Sequence, residues 1–147
     1  MMTKARPIEA FDGSHSVWPA AENRGHHCTG PEHDIWDTQE ALQRVDGDRP
    51  FLREIVQLFL EYSRELLANL ETGLEAKDAA AVRLAAHALK GSAAELSAWE
   101  VLREARRLEE VAQGGDLSML GIHGQRLQRA VSRLANTLRA WLGSGTS

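Results

Sequence analysis

Leu52, Ile55, Phe59, Tyr62, Leu66, Leu70 and Leu74 advance by three and four positions at a time. At about 100° per residue, that spacing gathers them on one side of a single long helix. In a strand the same residues would fall on both faces, because strand side chains alternate. The chain is thereby committed to burying a helical stripe against other helices. A second such stripe lies near the C-terminus. Leu120, Gly124, Leu127, Val131, Leu134, Leu138 and Trp141 step by four and three alternately.

Capping and breaking residues divide the helical body. A short helix is predicted over 37–45, stopped by Asp46-Gly47. The next is predicted over 49–76, with Asp48 as N-cap and Pro50 in the first turn, where proline is tolerated. Asp78 caps a third, alanine-rich helix running to Ser97. A fourth runs from Trp99 to Gln113, with Val101, Ala105, Leu108 and Ala112 on one side, and Gly114-Gly115 ends it. Asp116 caps the last, which runs to Leu142. Gly121 and Gly124 each cost that helix about 1 kcal/mol against alanine. A bulky neighbour over Gly124, or a loosened first turn, is therefore expected.

Nothing from Asp34 onward reads as strand. The predicted fold class is all-α: an antiparallel up-down four-helix bundle, with the short helix capping one end. Residues 1–33 mix Gly, Pro, Ser, His and charge without period and read as a flexible tail or linker. The bundle is placed at 34–143, and 144–147 are a C-terminal tail.

At 147 residues the chain is long enough for one domain with a substantial core. A net charge of −4 argues against a dedicated nucleic-acid binder. The single cysteine, Cys28, excludes an internal disulfide framework. No apolar run reaches membrane-spanning length, and no secretory layout opens the chain. The expected location is the cytoplasm, with no membrane and no nucleic acid among the partners.

The third helix carries His87-Ala88-Leu89-Lys90-Gly91-Ser92-Ala93. On a helical wheel Val82, Ala85, Leu89 and Leu96 lie nearly opposite His87, whereas Lys90 and Gly91 share its side. The helix buries its apolar side and turns one imidazole outward. Beside the imidazole stand a cation and a residue without a side chain. Imidazole can act as base, metal ligand or nucleophile. A phosphoryl group on it carries strong negative charge, which Lys90 can stabilise as a point charge. Gly91 removes bulk where a partner must pack. Ala80 and Ala94, about two turns to either side, keep the surface low. The plain alternative is a surface histidine beside an ordinary lysine.

With these residues in place, the chain resembles histidine-containing phosphotransfer (HPt) domains over roughly residues 35–142. The resemblance rests on Leu42-Gln43-Arg44-Val45-Asp46-Gly47-Asp48, Leu58-Phe59-Leu60, the His87 segment, Leu108-Glu109 and Gly114-Gly115-Asp116-Leu117. It implies that His87 is phosphorylated, on Nε2. It implies that Lys90 supports the phosphoryl charge and that Gly91 permits docking. Glu109 matches a position where some relatives place a polar side chain near the imidazole, so it could accept from Nδ1–H and orient the ring. A solvated glutamate is the equal alternative. Ser97 departs from the family, which often has glycine there. A change confined to a helix end or packing contact is expected.

No P-loop, kinase-type glycine-rich loop or acidic magnesium pocket is present. The protein is therefore not expected to make its own phosphoryl donor, and it needs no cofactor or metal of its own. The group would come from a phospho-aspartate on a response-regulator receiver domain and pass to an aspartate on another. Magnesium would be supplied by the receiver. A hybrid sensor histidine kinase is the expected source. Docking would use an apolar patch around His87 with Ala80, Leu84 and Ala94 as candidates and Arg83 at the rim.

Two other functions stay open at this point. One is an interaction module that binds a receiver or kinase without being phosphorylated. The other is metal binding through His26, His27, Cys28 and His33, whose spacing matches no standard finger. His15 and His123 have no evident partner. Trp18, Trp36, Trp99 and Trp141 read as packing or helix-end anchors rather than a ligand box. Arg126, Arg129, Arg133 and Arg139 read as a solvated face.

Overall fold

The computed structural model describes residues 34–144. The tail predicted over 1–33, with its His26, His27, Cys28 and His33 cluster, His15 and Trp18, lies outside the described residues, as do 145–147. Among the described residues there are five α-helices and no strand: α1 Thr38–Arg44, α2 Arg49–Ala76, α3 Ala79–Leu96, α4 Trp99–Gly114 and α5 Leu117–Ser144. None is long and apolar enough to cross a membrane.

The predicted caps at Asp48, Asp78 and Asp116 form, and Asp37, read from sequence as the first residue of the short helix, is its N-cap. Asp37, Asp48 and Asp78 accept from the backbone N–H groups of Glu40, Phe51 and Ala81 at 3.1, 3.1 and 3.2 Å. Asp116 accepts from the N–H and hydroxyl of Ser118 at 3.2 and 2.6 Å. Each backbone contact satisfies an N–H that a helix start leaves unpaired. Asp46-Gly47 ends α1 with both residues in the left-handed region, at φ 55° and 76°.

The four long helices form an antiparallel ring. α3 packs between α2 and α4, and α5 closes on α4 and α2. Leu52, Val56, Leu70, Val82, Leu89, Val101, Leu108, Leu127, Leu134 and Leu138 are fully buried between them. The helix faces match the predicted stripes except on α2. There Tyr62 is 47% exposed and Ile55 half-buried, while Val56 and Ser63 are buried in their place. The buried residues of α2 are those that face α3 and α5 together, and a wheel drawn on α2 alone does not contain their positions. Gly124 has the predicted bulky neighbour: a Cβ added there would fall 2.6 Å from Leu74 Cδ1.

α1 caps the bundle end where α3 and α5 finish and α2 begins. Trp36, just before it, is buried edge-on against Trp141 with ring centroids 5.1 Å apart, and donates from its indole N–H to Leu96 O at 2.9 Å. Arg49 lies over the Trp141 ring at 5.6 Å. Ser97, the departure from the family pattern, sits at the left-handed C-cap of α3 with φ 61°. Glycine takes that conformation without steric cost. Serine holds it because its hydroxyl accepts from Arg44 Nε at 3.1 Å and its carbonyl from the Asp37 N–H at 3.0 Å. The substitution is a helix-end adjustment tied to α1.

Candidate functional site

The site is built on α3 and completed by α4. Val82, Ala85, Ala86, Leu89, Ala93 and Leu96 are the buried residues of α3. Their burial fixes the helix's rotation and sends His87 outward, leaving its side chain 64% exposed. Alanines on both helices, among them Ala86, Ala93, Ala105 and Ala112, are buried and keep the pair close. The tight link from Ser97 to Trp99 then sets the antiparallel register. His87 lies ten residues before Ser97 and Glu109 eleven after Ala98, so the two meet across the hairpin.

They meet at 2.8 Å, between His87 Nδ1 and Glu109 Oε2. The other carboxylate oxygen, Oε1, lies 2.8 Å from Lys90 Nζ. Glu109 is only 15% exposed and Lys90 29%. Burial pushes the Glu109 carboxyl up, but the hydrogen bonds from Lys90 and His87 outweigh it and hold the group below the ordinary glutamate range. Glu109 is thus ionised at neutral pH. An ionised carboxylate can only accept, so Nδ1 is the donor in this contact and Nε2 is the ring nitrogen turned away from Glu109. Nε2 makes no hydrogen bond among the described residues.

Gly91 is exposed, and a Cβ there would meet nothing within 4 Å. No internal packing calls for glycine at this point of α3, unlike Gly73, where a Cβ would crowd Val82 at 3.1 Å. Ala80 and Arg83 are exposed, Ala94 is half-buried, and Leu84 is 64% exposed. All share the outer side of α3 with His87. Sequence reasoning missed two features. One is the double engagement of Glu109; the register across the Ser97 turn was its available signal. The other is a groove beside this face, lined by Val45, Ile55, Leu58, Tyr62, Ser92 and Glu95. The α2 stripe as read hid it by assigning Tyr62 to the core. No group of three or more His, Cys, Asp or Glu able to hold a metal occurs among the described residues.

Residues 54–137, more than half of the chain, match the Hpt domain family. The chain belongs to that family. As an Hpt domain it has a histidine phosphotransfer role in two-component signalling. Two solved structures share the Hpt fold. Histidine-containing phosphotransfer protein B from Pseudomonas aeruginosa PAO1 is 22% identical, with 75% of this chain and 96% of that one covered and a TM-score of 0.69. The HPT domain of a sensor hybrid histidine kinase from Shewanella is 14% identical, with 78% and 98% covered and a TM-score of 0.70. At these identities the likeness is one of fold. No curated protein matches.

Proposed function

We propose that this Hpt domain is a phosphorelay intermediate that carries the phosphoryl group on Nε2 of His87. The observation that carries this reading is the exposed imidazole, held through Nδ1 by Glu109 with Nε2 left to solvent. The Nε2 lone pair attacks the phosphorus of a receiver's aspartyl phosphate. The N–P bond forms as the P–O bond to the aspartate breaks, and that carboxylate leaves. In the second step an aspartate of another receiver attacks the phosphorus, and the P–N electron pair returns to Nε2. Positioning and electrostatics are what the protein contributes to such a transfer.

Lys90, one turn from His87, supports the phosphoryl charge. Gly91, with open space where a side chain would stand, admits the partner's surface. Leu84, Ala80 and Ala94 form the apolar docking patch, with Arg83 at its rim. The divalent metal of both steps is the receiver's magnesium, and a hybrid sensor histidine kinase in the cytoplasm feeds the pathway.

Incubation with a phosphorylated receiver tests this reading. The chain is expected to acquire an acid-labile phosphate that His87→Gln removes completely. A label that survives that substitution refutes the assignment. Stoichiometric receiver binding with no acid-labile phosphate would mark an interaction module instead.

A further inference from the structure

We infer that the outer face of α5 is a second docking surface, on the opposite side of the bundle from His87, and that its partner is an acidic protein segment. α5 carries Arg126, Arg129, Arg133 and Arg139 and no acidic residue, in a chain whose net charge is −4. The rest of the chain is therefore more acidic still, and the positive charge is gathered on one helix. All four arginines are exposed. Arg126, Arg129 and Arg133 advance by three and four positions, which sets them along one side of α5. At the rise of a helix, the face from Arg126 to Arg139 runs about 20 Å.

α3 and α5 each pack on α2 and α4, so the two stand at opposite corners of the bundle. A partner seated on α5 leaves His87 open to a receiver. Part of the charge on this face is already engaged within the fold. Glu100 holds Arg133, and Arg139 donates to Asn136 Oδ1 at 3.4 Å. Arg126 and Arg129 make no ion pair among the described residues. A hollow beside them is lined by Gln125, Gln128, Arg129, Ser132, Arg133 and Asn136. Its amides and hydroxyl both donate and accept. A guanidinium takes a carboxylate through two parallel N–H bonds. Together they suit the carboxylates and backbone polar groups of an Asp- or Glu-rich segment.

A segment that follows one helix also fits the charge around it. A longer polyanion would meet the acid on the helices flanking α5, such as Glu71 and Glu75 on α2 and Glu100 and Glu110 on α4. A short acidic segment laid along α5 meets the arginines. The exposed side chains between them, Gln125, Ser132 and Asn136, are polar and give a bilayer nothing apolar to bury. Trp141 is engaged by Trp36 and Arg49, so it offers no platform for stacking a base. Exposed ion pairs are individually weak and are screened by salt, so this contact forms and releases readily.

The test titrates a fluorescent peptide of alternating Glu and Ser into the full-length protein at low salt. Anisotropy reads binding, and backbone ¹⁵N shifts locate it. Shifts are expected on α5 between Gln125 and Asn136 and not around His87, with binding lost as salt is raised. Arg126→Gln combined with Arg129→Gln should weaken binding severalfold. Arg64→Gln combined with Arg107→Gln removes the same charge from exposed positions of α2 and α4 and should leave binding unchanged. Equal losses in the two double variants would reduce the effect to net charge and overturn the surface. Shifts centred on His87 and Lys90, or no binding at all, would overturn it too. Tighter binding of a short single-stranded oligonucleotide or of phosphatidylserine vesicles through the same arginines would overturn the acidic-protein assignment. No phosphate on His87 is needed, so failure of His87 to take label would sink the relay reading separately.

Discussion

Glycine at position 91 is the most telling single residue, because the fold gives no reason for it. Gly91→Ala should stabilise the protein by about 0.5–1 kcal/mol in urea denaturation, the ordinary gain for removing an exposed mid-helix glycine. Gly91→Trp should fold as well as wild type yet accept phosphate from a receiver about tenfold more slowly, about 1.4 kcal/mol of barrier. Unimpaired transfer in that variant would remove docking clearance as the explanation. Glu109 gives a pH dependence whose sign follows from its position. Its carboxyl is held lower in the folded chain than in the unfolded one. It therefore adds stability above the ordinary value near 4.5, and that stability is lost as pH falls through the folded value. The stability gap between wild type and Glu109→Gln should be present at pH 6.5 and shrink below about pH 4.5, measured by denaturation across that range. His87, Lys90 and Gly91 were legible in sequence because one helix face carries them. The grip of Glu109 on both His87 and Lys90 was not, because it depends on the register of a second helix.

At the scale of elements, helix ends were the easiest features to read and the facing of α2 the hardest. Caps depend on side chains within three residues of the helix start, so Asp48, Asp78 and Asp116 announce themselves. The buried arc of α2 depends on where α3 and α5 sit, and a wheel drawn on α2 alone placed Tyr62 inside. The α2–α5 contact offers a prediction at this scale. Gly121 and Gly124 lie on the same helix, but only Gly124 faces Leu74. Gly121→Ala should stabilise by about 1 kcal/mol through helix propensity. Gly124→Ala should lose that gain to overpacking, which typically costs about 1–3 kcal/mol. Adding Leu74→Ala to Gly124→Ala should recover part of the loss. Additive behaviour in that double-mutant cycle would show that the two side chains do not share the space.

For the whole molecule, the capped end joins elements far apart in sequence. Trp36 meets Trp141 and the carbonyl of Leu96, and Arg53 donates to Leu142 O at 3.0 Å. Asp34 forms a two-pronged ion pair with Arg103 on α4, one contact at 2.7 Å. Trp36→Ala should therefore cost about 3–5 kcal/mol, the usual range for a buried tryptophan, read as a lower urea midpoint. His87 stands ten residues from the Ser97 end of α3, so its access to a receiver should change much less than stability does. Sequence alone determined the helices, their boundaries and the outward face of α3. Those depend on spacing along one chain segment and on capping side chains close to each helix start. The tertiary structure alone decided which side of α2 is buried, why serine is held in a left-handed turn at Ser97, and that one carboxylate holds both Lys90 and His87. Each of these is a contact between elements, and its distance is set by how whole helices pack.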